Sequence, residues 1–291
     1  MTYAFDVNLE RGSNCFINPI EFGSFAITLG FISLILPLPE KISKPLHALL
    51  VILKAIGFIA GMVAAVYSGS RAAFAALPFL IILVLFYKKK WSMIKSISTI
   101  FFIGLIIISI LMQTRIFKRI NEGFQDITTY SVNKDTSLGA RFQMWKVATS
   151  AFFDNPMTGI GRGNYTKLLE SGGYQTTVSK FLLGFRHAHN EYLNAAAEMG
   201  FSGLLSTLLL LIAPALFFYK NYQSSSSTTA FAAASGLIIV GGHAIFCLFD
   251  ALFLMSCQTT FYSFSVVLFM AIILNEQTSQ RESGAGLPNP A

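Results

Sequence analysis

The stretch "HALLVILKAIGFIAGMVAAVYSGSRAAFAALPFLIILVLFYKKK" (47–90) decides the fold class. Its two apolar runs, 47–67 and 71–87, each approach the ~20 residues that a helix needs to cross a bilayer core. One continuous helix is disfavoured, because Ser68-Gly69-Ser70 interrupts the pattern with turn-forming residues. The reading is a tight hairpin of two membrane spans, with Arg71 opening the second. Lys88, Lys89 and Lys90 close it, as basic residues do on the cytoplasmic side of a membrane.

The rest of the chain extends this pattern. Of 291 residues, 54% are hydrophobic and only 12% charged, against about 25% charged in a soluble domain. Mean hydropathy is +0.60. The apolar residues fall in long blocks, whereas a β-barrel would show short alternating segments. Seven spans are expected, at 19–38, 47–67, 71–87, 96–113, 201–219, 229–249 and 258–275. The expected fold is all-α: a polytopic transmembrane protein with about seven spans and one long, partly helical periplasmic loop.

Much of the net charge of +7 sits in short loops between the spans, so it reads as a topology signal and not as a nucleic-acid footprint. Lys41, Lys44, the lysines of 87–95, Lys220 and Arg281 fall on one side, taken as the cytoplasm. The opposite, periplasmic side then holds the N-terminal segment, the 68–71 turn, residues 250–257 and the loop 114–200. The three cysteines, Cys15, Cys247 and Cys257, form no CxxC and no metal-like spacing. Cys15 and Cys257 share the periplasmic face, which leaves one disulfide open. The start "MTYAFDVNLERGSNCFINP" is too polar for a signal peptide.

Four regions follow: a membrane part at 1–113, the periplasmic loop at 114–200, a second membrane part at 201–275 and a disordered cytoplasmic tail at 276–291. The loop, about 87 residues, is far longer than ordinary connections and is expected to be functional. Within it, 139–153 has helical spacing in Phe142, Trp145, Val147, Ala148 and Phe152. "NPMTGIGRGNY" (155–165) lacks the GK[ST] of a phosphate-binding loop and reads as a multi-turn segment whose glycines take positive φ. "YQSSSSTT" (222–229) reads as a flexible linker.

"FRHAHNEYLNAAAEMGFSG" (185–203) holds His187, His189 and Glu191. Read as a helix from His189 onward, it turns by about 100° per residue. His187 and His189 then diverge by about 200°, and no metal site is expected from them. Gly200 and Gly203 fall near the face of His189, a small-residue stripe where another helix can approach. Glu191 and Glu198 lie on the opposite side. On local sequence alone an interfacial role outweighs a catalytic one for His189, although a histidine is a natural general base near neutrality.

Arg71 at the head of an apolar run either snorkels to the interface or clamps an anion with its rigid fork. Arg141, in "SLGARFQMW", is a solvated charge or a second clamp, with Trp145 one turn on as a surface for a sugar or isoprenoid. His243 and Asp250, seven apart, are read as ionisable groups of one span, explained equally by function and by packing.

Five stretches in order resemble the O-antigen ligase family, which shares its core with O-antigen polymerases and protein O-oligosaccharyltransferases. They are "RGSNCFINPIEFG" (11–23), "SGSRAAF" with Arg71, "ARFQMW" with Arg141 and Trp145, "NPMTGIGRGNY", and His189-Asn190 followed after nine residues by Gly200-x-x-Gly203. Two positions depart from the family pattern: Ala72 stands where Gly is usual, and Ser206 where Gly, Thr or Tyr is.

The resemblance implies a metal-independent, inverting glycosyltransferase in the bacterial inner membrane, facing the periplasm, without cofactor. Its donor would be an undecaprenyl-pyrophosphate-linked glycan and its acceptor lipid A–core, with growing glycan or protein as alternatives. His189 is implied as the base, and Arg71 and Arg141 as its catalytic partners. Asn190, Trp145, Arg162 and Arg186 are expected in substrate binding, and Gly159, Gly161, Gly200 and Gly203 as structural positions. A transporter of lipid-linked sugars is the alternative from another class. Family members usually have about a dozen spans, so an upstream membrane portion is expected to be missing, and the chain alone to be inactive if those helices shape the donor groove.

Overall fold

The computed structural model describes residues 18–39, 41–87, 137–170, 182 and 184–284. All regular structure among them is helical. The helices are α1 (Pro19–Ile35), α2 (Lys44–Ser68), α3 (Arg71–Phe86), α4 (Ser137–Asp154), α5 (Tyr165–Glu170), α6 (Glu191–Asn221), α7 (Ser227–Phe246) and α8 (Ser256–Gly284), with a 3-10 turn at Leu252–Leu254. Helices α2, α6, α7 and α8 are long and apolar enough to cross a membrane, and α1 and α3 are shorter apolar helices. The chain is therefore a multi-pass helical membrane protein. Six of the seven expected apolar segments lie on these helices. The seventh, 96–113, lies outside the described residues, as do Cys15 and most of 11–23.

The chain divides into two compact units: residues 1–100, 215–242 and 261–291, and residues 101–214 and 243–260. In the first, α1 opens with a capping box in which the Asn18 side chain accepts from Ile20 and Glu21 N–H and Glu21 reaches back to Asn18 N–H. Gly30 and Gly61 let the α1 and α2 backbones touch; a Cβ on Gly61 would stand 2.5 Å from the Ala26 carbonyl. The expected break between spans is present: α2 ends at Ser68, Gly69 is left-handed (φ 59), and Ser70 caps α3 through Ala73 N–H.

Two boundaries differ from the sequence reading. The expected 222–229 linker is shorter, because α7 already starts at Ser227, where Ser226 Oγ accepts from Thr229 N–H. The expected disordered tail begins too early, because α8 continues to Gly284. Polar side chains hold this extension: Ser226 Oγ donates to Glu276 at 2.9 Å, and Gln277 donates to Asn221 at 2.7 Å.

The second unit holds Arg141, His187, His189 and Asp250. Helix α4 buries Ala140, Met144, Val147, Ala148 and Ala151, a stripe at helical spacing. Val147, Ala148 and Ala151 pack with Tyr165, Leu169, Ala188 and Ala197 in one core. Tyr165 is fully buried and donates to the Met144 carbonyl at 2.7 Å, which pins α5 to α4.

Candidate active site

The site begins where α6 begins. That helix starts at Glu191, so His189 precedes it, in a left-handed conformation (φ 48). A non-glycine residue rarely adopts this region without surrounding structure to hold it. Two neighbours supply that hold. Asn190 caps the helix by accepting from Leu193 N–H at 3.1 Å, and Asn194 accepts from Ala188 N–H at 3.1 Å. The 100°-per-residue argument therefore does not apply to His187 and His189. Their rings lie 4.4 Å apart and converge on one carboxylate.

That carboxylate is Asp250. Its Oδ1 lies 2.9 Å from His189 Nδ1 and 3.5 Å from His187 Nδ1. The His189 contact is short, but Nδ1 forms no well-aligned hydrogen bond there. Asp250 also accepts from Ala251 N–H at 2.9 Å. The Asp250 side chain is 2% exposed and each imidazole 20%. Asp250 is not in one span with His243, as the sequence reading has it: α7 ends at Phe246, and Asp250 sits in the turn beyond.

This turn is held from α6 and α4. The last carbonyls of a helix have no partner within it and must find one elsewhere. Here Tyr192 Oη donates to Ala244, Glu191 N–H to Cys247, Asn190 Nδ2 to Leu248 and Arg141 Nη1 to Phe249, the last at 2.6 Å. A guanidinium at a helix C-terminus is also favoured by the helix dipole. Glu191 accepts from Phe253 N–H at 2.9 Å, fixing the far side of the turn.

Burial alone would raise the Asp250 pKa. Contact with His189, the charge of His187 and the Ala251 N–H outweigh it and hold the carboxyl below its ordinary value. For His187 burial lowers the pKa, the Asp250 charge opposes this, and His189 and Arg141 lower it further. His187 Nδ1 accepts from His189 N–H at 3.3 Å, as a neutral imidazole does.

Gly200 and the 155–165 loop form the support beneath. The expected small-residue face does not run through Gly200, because the helix breaks there (φ 64, ψ −152). The loop takes over the bonds the break releases. Phe201 N–H donates to Pro156, Ile160 N–H to Ala197 and Gly161 N–H to Glu198, at 2.7, 2.9 and 2.9 Å. Gly159, Gly161 and Gly163 all have positive φ, as the sequence reading expects. Glu198 accepts from Gly163 N–H at 3.0 Å. Helix α4 also forms as read from its spacing.

A family model for O-antigen ligase matches residues 56–208, just over half of the chain. The chain belongs to the O-antigen ligase family. It is 30% identical over 198 residues to an uncharacterized protein of Haemophilus influenzae, a match covering 65% of this chain and 48% of that protein. It is 26% identical over 144 residues to an O-antigen ligase of Escherichia coli, covering 48% of this chain and 34% of that protein. The chain thus spans half or less of the length of these relatives.

Of the residues that the family resemblance singles out, His189 and Arg141 both border the Asp250 turn. Arg71 is the first residue of α3 in the other unit. Asn190 is committed to capping α6. Trp145 packs beside the second unit's core, its ring 5.6 Å from Phe142. Arg162 and Arg186 are exposed. The sequence reading underrated His187 and Asp250 and missed Asn194. A His-x-His ahead of a capped helix start was the available signal for the first; Asp250, some sixty residues away, had none that tied it to His189.

Proposed function

We propose that this chain carries the catalytic part of a metal-independent glycosyltransferase that moves an O-antigen glycan from undecaprenyl pyrophosphate to lipid A–core at the periplasmic face of the inner membrane. The observation that carries this reading is the buried Asp250 carboxylate 2.9 Å from His189 Nδ1. The negative charge beside Nδ1 favours the tautomer that carries its proton there and leaves the Nε2 lone pair to take a proton. The acceptor hydroxyl gives that proton to Nε2 as its oxygen attacks the anomeric carbon. The bond to the lipid pyrophosphate breaks on the opposite side, and the configuration inverts.

The leaving group carries its own negative charge, so it needs cations more than a proton. Arg71 stands at the positive end of the α3 dipole, where an anion is favoured. Arg141, beside the Asp250 turn, adds a second positive charge. Charge stabilisation by arginine needs no divalent ion.

The test is complementation of cells lacking their own ligase, scored by O-antigen bands on lipopolysaccharide. Loss of the bands in His189→Ala, with lipid-linked polymer accumulating, is expected. Full banding in that variant overturns the mechanism. Lipopolysaccharide capped with single repeat units would move the assignment to a polymerase.

A further inference from the structure

His187, His189 and Asp250 present three ligand atoms within 4.8 Å of one another. We propose that these residues bind a divalent first-row transition-metal ion, zinc in the first place, and that the bound ion inhibits His189 as a base. The inhibitory half rests on the function proposed above; the site itself does not.

The donor set fits the ion. Two imidazole nitrogens and a carboxylate oxygen suit zinc, whereas calcium and magnesium favour oxygen ligands. Metal–ligand bonds of ~2.0–2.1 Å in tetrahedral geometry place ligand atoms about 3.3 Å apart. The separations here are 2.9 Å for His189 to Asp250 and 3.5 Å for His187 to Asp250. The two imidazole nitrogens, which lie within 4.8 Å of each other, come to ~3.3 Å by ring rotation to complete three corners of a tetrahedron, and water takes the fourth. The backbone needs no change, because the left-handed turn at His189 already points both rings inward.

Two local features bear on affinity. The ion displaces one hydrogen bond, from His189 N–H to His187 Nδ1 at 3.3 Å. Arg141, whose guanidinium holds the Phe249 carbonyl beside the turn, opposes the charge of the ion.

The consequence for catalysis is a matter of tautomers. A neutral imidazole carries one proton. When Nδ1 binds the ion, that proton moves through solvent to Nε2. Nε2 then has no lone pair for the acceptor hydroxyl, and Asp250 is withdrawn from His189. Metal binding and base catalysis exclude each other.

The experiment uses the full chain purified in detergent, with Co²⁺ as the probe. An intense visible band of four-coordinate cobalt, bleached by Zn²⁺, is expected. His187→Gln and Asp250→Asn should each abolish the band and weaken zinc binding at least tenfold, since even outer-shell partners are worth about 10–100-fold. Cys257→Ser and His47→Gln, at exposed positions elsewhere, should keep the band. Thermal unfolding in EDTA checks that each variant is folded. An unchanged band in folded His187→Gln, or no band in the parent, overturns the site. In a transfer assay with lipid-linked donor, zinc should stop turnover and EDTA restore it. Undiminished turnover at saturating zinc, with the cobalt band intact, overturns the inhibition. Full turnover in His189→Ala would instead overturn the base assignment while leaving the spectroscopic result standing.

Discussion

Asp250→Asn tests the central geometry most directly, because it removes one charge and almost no volume. During the reaction His189 becomes an imidazolium 2.9 Å from the Asp250 carboxylate. Opposite unit charges at that distance interact by about 6 kcal/mol at an effective dielectric near 20. The one-fifth exposure of the imidazole and the remaining polarity of an asparagine reduce the loss to roughly 2–4 kcal/mol, or about 30- to 1000-fold in rate. An asparagine amide that turns its NH₂ toward Nδ1 would also favour the wrong tautomer, which pushes toward the upper figure. The assay is initial-rate transfer from purified lipid-linked donor, with His189→Ala as the inactive reference. The acceptor KM should change little, because Asp250 faces Nδ1 whereas the acceptor hydroxyl meets Nε2 in the proposed mechanism. A folded Asp250→Asn protein with parental turnover, beside an inactive His189→Ala, would refute the orienting role.

Gly200→Ala should lower stability by on the order of 3 kcal/mol or more, through a glycine-only backbone conformation and lost loop bonds. A Cβ there would stand 2.6–2.7 Å from backbone atoms of Pro156 and Met157, which cannot yield as a side chain can. Thermal unfolding in detergent measures this, and an unshifted midpoint would argue against the exchange of bonds at the break. Tyr165→Phe removes the buried hydroxyl that reaches the Met144 carbonyl and should cost about 1 kcal/mol. No loss of stability would mean that α5 is held to α4 by packing alone.

Much of the fold was readable because its signals are local. Apolar run length marked six of the apolar helices, four of them long enough to cross a membrane, Ser68-Gly69-Ser70 gave the break before α3, and the spacing of 139–153 gave α4. The three glycines of 155–165 announced positive φ because few other residues tolerate it. The site was legible only in part. His189 and Arg141 came from resemblance to a family, whereas the turn that carries Asp250 is joined to them by tertiary structure. The left-handed turn at His189 is imposed by Asn190, Asn194 and the α7 terminus, and no propensity of histidine foretells it. The same holds for Gly200: a glycine within an apolar helical pattern reads equally as a packing position or a break. The 155–165 loop, distant in sequence, decides for the break.

The bond exchange at Gly200 also bears on how relatives of this chain can differ in length. Pro156, Ile160 and Gly161 each face a set partner on α6, so the loop is metered against the helix one residue at a time. Adding or deleting a residue between 156 and 161 would move every later N–H off its carbonyl. Insertions and deletions among functional relatives should therefore spare this six-residue window and collect where no such ladder fixes the count.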